Sequence, residues 1–366
     1  MRLVFVIDSF LIGGSELAAL RTFQLFRNSA DIAIVHFHCE GPLLDEYRQL
    51  DAEMHHVPLF GIRDPRNLLA LARLRTLLRR IRADVVHSHD AYSNMVMLAA
   101  QWPGFRTPWV SSRRWLDQIV RPSHARLNHT AFLRSHAVTV NSPSVARHMV
   151  SAEAVPLSQI VVVPNFVEIP SGVSSLPAQT HSHVTMGMVS RLTPVKRHDV
   201  ALKAIRILVD EGHDVRLEII GEGPNKAVIE QCISDLALGD RVALLGEKRG
   251  GATLHLGFDI SLATSDSEGS PNSVLEAMAA GRPVVATDVG GTRDVLRSGI
   301  DGMLVPPGDP MAVAAALRPL VQSSELRATY GKSGRERAAT EFSPAAITKT
   351  LGGLYERLTA SSRVLS

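Results

Sequence analysis

Short runs of branched apolar residues, each followed by a stretch of helix length, recur along the whole chain in two successive series. The first series has the strand-like segments "RLVFVID", "DIAIVHFH", "DVVHSHD", "PWVSS", "AVTVNS" and "IVVVPNF". Between them lie helical stretches such as "GGSELAALRTFQLF" and "RNLLALARLRTLLRRIR". In the latter, the 3.6-residue period predicts Leu68, Leu71, Leu74, Leu78 and Ile81 on one face and arginine on the other. The second series runs "VTMGMVS", "DVALKAIRILVDEG", "VRLEIIGEG", "NKAVIEQCISDLAL", "RVALLGE", "DISLATS", a helix over 271–280, "PVVATDVGG" and "DGMLVPPGD". Apolar runs without polar alternation suit strands covered on both faces, as in parallel sheets with helices on each side. The expected fold is therefore α/β, with two Rossmann-like, doubly wound domains facing a central cleft. A Pro-, Ser- and Gly-rich segment at 169–183 reads as a linker between a first domain at 1–168 and a second at 184–345. Ligands of such sheets bind beyond the carboxyl ends of the strands.

The chain has 366 residues, enough for two separately cored domains. No apolar run approaches the roughly 18 residues needed to span a bilayer. The N-terminus lacks the pattern of a secretory signal, so a cytoplasmic setting is expected. Two cysteines, Cys39 and Cys232, form no disulfide framework and have no metal-type spacing. Charge is unevenly placed: residues 1–170 carry 18 arginines, no lysine and 14 acidic residues, and ten of the 15 histidines. Such a half fits either a solvated basic surface or the neighbourhood of phosphates and anionic headgroups. Net charge is only +3 and there is no nucleic-acid reading motif, so a nucleic-acid partner is not expected.

The most informative stretch is "SDSEGSPNSVLEAMAAGRPVVATD", from Ser265 to Asp288. It sets one carboxylate, Glu268, just before a helix and another, Glu276, within it. Ser270 reads as the N-cap and Pro271 as the first helical residue, while Gly281 and Pro283 end the helix. Amides at Asn272 and Ser273 then point from the helix N-terminus, where they and the dipole favour a phosphate. Two readings fit. One is a capped surface helix with two solvated carboxylates. The other is a nucleotide-sugar site, with Glu268, Gly269 and Ser270 at the sugar end, the diphosphate at the helix terminus and Glu276 on the ribose.

The segment "EGSPNSVLEAMAAGRPVVATDVGGTRDVL" with "GMLVPPGDP" resembles the donor-binding motif of retaining GT-B glycosyltransferases of family 4. "SRLTPVKRHDVALKAI", "IIGEGP", the N-terminal "GGSE", "ADVVHSHD" and "VVVPNFV" resemble further family segments, in the same order. The C-terminal "EFSPAAITKTLGGLYERL" resembles the last helix, which implies that 346–366 crosses back to the first domain. By this resemblance Arg191 and Lys196 hold the diphosphate, Glu268 contacts the donor sugar and Glu276 the ribose. Gly13 and Gly14 approach the diphosphate from the first domain. His89 lies near the sugar and the acceptor, and His87 is read as structural. Fixed cations suit a departing diphosphate without a metal. No metal or other cofactor is therefore expected. Three residues depart from the family pattern: Ser15 in the first loop, Phe166 after "PN", and Arg197 where glycine usually follows the lysine.

The resemblance implies sugar transfer from a nucleotide-diphosphate sugar, UDP-linked by first expectation, to an acceptor hydroxyl with retention. Glycan or lipid-linked acceptors of bacterial lipopolysaccharide, capsule or other surface glycans are expected. Arg113 and Arg114 are the acceptor-binding candidates, in a segment that also holds Arg121, Arg126, Arg134, Trp115 and Phe132; a solvated helix pair is the other reading of that segment. Peripheral contact with the inner membrane face through the basic first half is a further expectation. An epimerase of the same fold, or a non-catalytic sugar-nucleotide-binding subunit, remains the alternative. A dinucleotide dehydrogenase is disfavoured, because "GEGPNK" lacks the third fingerprint glycine.

Overall fold

The computed structural model describes residues 1–11, 14–61, 64–101, 105–114, 122–170 and 183–364. It divides into two compact units, Met1–Pro164 with Ile347–Ser366, and Asn165–Ala346. Most of the expected linker at 169–183 lies outside the described residues.

The first unit is built on seven strands: β1 (Arg2–Ile7), β2 (Asp31–His36), β3 (Glu53–His56), β4 (Val85–Ser88), β5 (Trp109–Arg113), β6 (Ala137–Val140) and β7 (Ile160–Val162). They are parallel throughout and lie in the order β3-β2-β1-β4-β5-β6-β7. Branched apolar residues fill these strands because both faces are covered. Val4, Val6, Val35 and Val86 pack with Leu74, Leu78, Ile81 and Met97 in one cluster. Val138 and Val140 pack with Phe132, Val145 and Met149 in another.

The helix Arg66–Ile81 buries Ala70, Leu74, Leu78 and Ile81. Leu68 departs from its expected inward place and is 74 % exposed. At about 100° per residue it lies about 200° from Ala70, the residue that takes the inward position of the first turn. In the last helix, Pro344–Val364, the residues from Ile347 onward belong to this unit, and Ile347, Leu351, Leu354 and Tyr355 are buried.

The second unit has six parallel strands: β8 (Val184–Val189), β9 (Val215–Ile220), β10 (Val242–Leu244), β11 (Ile260–Ala263), β12 (Val284–Thr287) and β13 (Gly302–Val305). Their order is β10-β9-β8-β11-β12-β13. The period-2 geometry of a strand sends neighbours to opposite faces. Val285 accordingly joins a core with Met186, Met188, Leu217, Ile219, Ile205 and Leu317. Val284 and Ala286 join another with Val274, Leu275, Met278 and Phe342. Both sheets are doubly wound. The chain direction of sheet growth reverses between β1 and β4 in the first unit, and between β8 and β11 in the second. These are the switch points where strand ends leave room for a ligand. Among the described residues no helix is long and apolar enough to cross a membrane.

Candidate active site

In the second unit, the loops leaving β8 and β11 are sewn together. The Asp266 amide donates to the Val195 carbonyl at 2.8 Å. The Thr264 hydroxyl donates to the carbonyls of Lys196 and Arg197. This brings two predicted residues into contact: Lys196 Nζ lies 2.5 Å from Glu268 Oε1. Ser265 Oγ donates to the same carboxylate oxygen at 2.6 Å, and the Gly291 amide donates to the Glu268 carbonyl. The pair is about four-fifths shielded from solvent. Arg191, on the same loop, is exposed, and no ion pair holds its side chain among the described residues.

Arg197 explains its own departure from the family pattern. Its backbone is left-handed, with φ 48° and ψ 49°, where glycine is at no disadvantage. A side chain there costs about 1–2 kcal/mol. The guanidinium offsets this by gripping Asp199 and Asp266, one on the following helix and one on the β11 loop. These carboxylates raise the Arg197 pKa above its ordinary value.

The helix of the central motif spans Asn272–Ala279. Ser270 is therefore not its N-cap, and Pro271 is not its first residue. Pro271 has ψ 106°, which is extended, so the helix starts one position later, and the Ser270 hydroxyl, though buried, bonds nothing among the described residues. Ser273 lies in the first turn and Gly269 in the preceding loop. Asn272 Oδ1 instead accepts from Asn165 Nδ2 at 2.8 Å. Sequence reasoning misses Asn165; an asparagine directly after Pro164, just past a strand, is the signal available for it. Glu276 is buried, 8 % exposed. Its Oε1 faces Gly251, close enough that a Cβ there would sit 3.5 Å away. Gly221 and Gly223, after β9, lie so near the β8 exit that a Cβ would meet the carbonyl oxygens of Ser190 and Leu192 at 1.9 and 2.4 Å. The β8 and β9 exits are thus packed backbone against backbone, with Lys196 and Glu268 paired at the neighbouring β8 and β11 exits.

In the first unit, His87 and His89 are two apart on one strand line and share a face, with ring centroids 4.1 Å apart. His87 is structural in its bonding: its Nδ1 meets the Tyr355 hydroxyl at 2.6 Å, and Nε2 meets Ser112 and Thr139. Burial and the nearby Arg114 charge hold it neutral, with a pKa of about 3. His89 is fully enclosed beside Phe5 and Phe23, and neither ring nitrogen has a partner among the described residues. Burial, then His87 and Arg114, push its pKa well below the ordinary value. Next to it, Asp90 caps the helix Ala91–Ala100 through a capping box with Ser93 and accepts from the Asp8 amide. Burial and the Asp8 carboxylate raise Asp90 to about 7.

Of the acceptor candidates, Arg113 is buried and committed to Glu153. Arg114 is half-buried, and burial lowers its pKa to about 10. Phe132 lies in the core, whereas Arg126 and Arg134 are exposed. Gly13, Trp115 and Arg121 lie outside the described residues; Gly14 opens the helix Gly14–Phe26.

A chain of two doubly wound α/β units, with charged residues at the β8/β11 switch point, has the architecture of proteins that hold a ligand beyond the strand ends. Family comparison makes this specific. Residues 179–337 match the model "Glycosyl transferases group 1", and residues 13–165 match "Glycosyl transferase 4-like domain". The chain belongs to the group 1 glycosyltransferases and has their GT-B fold. It is 28 % identical over 304 residues to N-acetyl-alpha-D-glucosaminyl L-malate synthase of Bacillus anthracis, covering 80 % of this chain and 79 % of that protein. It is 33 % identical over 186 residues to the amylovoran biosynthesis glycosyltransferase AmsK of Erwinia amylovora, covering 49 % of this chain and 46 % of that one. Among solved structures, Anabaena Alr3699/HepE in complex with UDP superposes with a TM-score of 0.84 at 19 % identity, over 98 % of this chain and 100 % of that chain. The lipopolysaccharide outer core galactosyltransferase WaaB superposes at 0.80 with 19 % identity, over 98 % and 100 %.

Proposed function

We propose that this glycosyltransferase moves a sugar from a UDP-sugar to an acceptor hydroxyl with retention of anomeric configuration and without a metal, in the synthesis of a bacterial surface glycan. The observation that carries the proposal is the Lys196–Glu268 pair at the β8/β11 switch point. Without donor, the two charges satisfy each other. A bound donor offers each a better partner: the diphosphate takes Lys196 and the unpaired Arg191, and sugar hydroxyls take Glu268. Glu276, beside the Gly251 backbone, receives the ribose diol, and the first turn of Asn272–Ala279, with Gly269, Ser270 and Ser273, faces the phosphates. Charge growing on the leaving diphosphate is then met by fixed cations, an effect of about 3–4 kcal/mol for each well-placed donor. The leaving phosphate itself takes the acceptor proton, so no protein carboxylate has to serve as base. The family resemblance assigns Gly13 and Gly14 to the diphosphate as well. The resemblance also assigns His89 to the sugar and acceptor; its ring is enclosed beside Phe5 and Phe23, so it would meet a hydroxyl only after a side-chain rearrangement.

The acceptor is a glycan or lipid-linked glycan met by the first unit. Arg113 and Arg114 are its candidate contacts, Arg113 being paired with Glu153 in the structure. AmsK and WaaB, named for exopolysaccharide and lipopolysaccharide synthesis, support the surface-glycan reading. The helix Arg66–Ile81 exposes Leu68 and Leu69 beside Arg73, Arg79 and Arg80, which supports peripheral contact with anionic lipid. Salt-sensitive co-sedimentation with anionic vesicles is expected; its absence removes the membrane part alone. The transfer itself is tested by incubating the protein with UDP-sugars and a panel of lipid-linked and free glycans, following UDP release and reading the anomeric proton of the product by NMR. An α-linked product from an α-donor, insensitive to EDTA, is the expected result. Release of free or epimerised sugar without acceptor dependence favours the epimerase reading. Binding without any turnover favours a binding subunit.

A further inference from the structure

The edge of the first sheet carries a group of side chains that the transfer reaction does not use. β2 and β3 pair in parallel with His36 directly opposite His56. Their rings stack with centroids 5.1 Å apart and planes 13° from parallel. Three residues past His36, where the chain leaves the sheet, stands Cys39, whose Sγ lies 4.0 Å from His36 Nδ1. One ligand atom from each of His36, Cys39 and His56 falls within 4.8 Å of the others. No ion is bound there in the structure.

We propose that His36, Cys39 and His56 form a binding site for a borderline divalent cation of the zinc class, with water in the fourth position. Two imidazoles and a thiolate are a donor set that zinc prefers over harder cations such as magnesium or calcium. In a tetrahedral site with such bonds, neighbouring ligand atoms stand roughly 3.5 Å apart. The three ligand atoms lie within 4.8 Å of one another, so binding would draw them together by up to about an ångström; Cys39 is exposed, on the segment just after β2, and its thiol has the most room to move. His36 Nδ1 also lies 3.1 Å from the His38 carbonyl, and His56 Nε2 lies 3.2 Å from the Phe37 carbonyl. A nitrogen that donates there cannot hold the ion, so binding uses the other nitrogen of the ring or displaces the carbonyl contact. His38 leans away to Asp8, and His55 to Glu53, so neither competes for the ion. The cation would tie β3, the outermost strand of this sheet, to the segment following β2. Linear spacing hides the site: His56 is brought to His36 by strand register alone.

Cobalt(II) is the probe, added to tag-free, reduced full-length protein. One equivalent should produce visible bands of a four-coordinate ion and a near-ultraviolet thiolate-to-cobalt charge-transfer band, both bleached by zinc. Cys39→Ser should abolish the charge-transfer band, and His56→Ala should weaken binding by more than about tenfold. Cys232→Ser should leave both features intact. Zinc should raise the melting temperature of the wild type and not that of Cys39→Ser. Absence of any thiolate band at saturating cobalt overturns the proposal. So does a band that survives Cys39→Ser and disappears in Cys232→Ser. Because Cys39 is exposed, its serine variant decides the matter even if His56→Ala does not fold.

Discussion

Single side chains in this molecule are held in charge states that burial dictates. His87, His198 and His255 have pKa values near 3, 4 and 3, mainly because each would lose hydration on charging, with Arg114, Lys196 and Arg282 respectively adding repulsion. In the unfolded chain a histidine titrates near 6.5. Below that pH the unfolded state binds protons that the folded state refuses, so stability present above about pH 6.5 is lost as pH falls toward 4. Each fully divergent histidine contributes a slope of roughly 1 kcal/mol per pH unit. Asp90 acts in the opposite sense: raised to about 7, it favours the folded state at low pH and loses that contribution as pH rises from 4 to 7. Unfolding midpoints in urea between pH 7 and 4.5 should therefore fall on acidification, and His255→Gln should make the fall shallower. Identical slopes for wild type and variant would contradict the assignment. None of these states was legible in the sequence, since burial of a histidine depends on which strands meet above it.

Elements were easier to read than their ends. Strands such as β1 and β7 announce themselves by unbroken apolar runs, "LVFVI" and "IVV". β3, "EMHH", does not: Glu53 and His56 are exposed, Met54 and His55 half-buried, and only pairing with β2 makes it a strand. The start of Asn272–Ala279 was misplaced by one residue, because serine before proline is a good cap pattern while the ψ of Pro271 is set by the tertiary fold. Arg197 is the converse case. The sequence marked it as a departure, and its left-handed backbone with two carboxylate partners supplies the reason. Glycines at strand exits are the element-scale requirement of the close backbone packing there. Gly221 has φ +147°, and a Cβ there would sit 1.9 Å from the Ser190 carbonyl oxygen. Gly221→Ala should lower stability by about 2 kcal/mol or more, by the overpacking and backbone-strain mechanisms. Gly239→Ala, with nothing within 4 Å of the new methyl, should stay within about 0.5 kcal/mol. Equal effects in chemical denaturation would mean that the β9 exit is not packed as described.

At the scale of the whole chain, two successive βα series were enough to predict two doubly wound sheets, and both have the reversal of strand order that creates a switch point. The motif carboxylates and cations of the second sheet were also legible, because their spacing in the chain is local. What was not legible is long-range: that Lys196 and Glu268, 72 residues apart, meet at one point, that Arg113 is taken by Glu153, and that Tyr355 closes over His87. The proposed activity rests on that first meeting. It is tested most directly by calorimetric titration of UDP into the wild-type protein and into Lys196→Ala and Glu276→Ala, each checked for folding. A charged hydrogen-bond partner contributes about 1.5–3 kcal/mol, so each variant should bind UDP at least tenfold more weakly than wild type. UDP binding that is unchanged in both variants, or no UDP binding to folded wild-type protein, would contradict the assignment of the β8/β11 exits as the donor site.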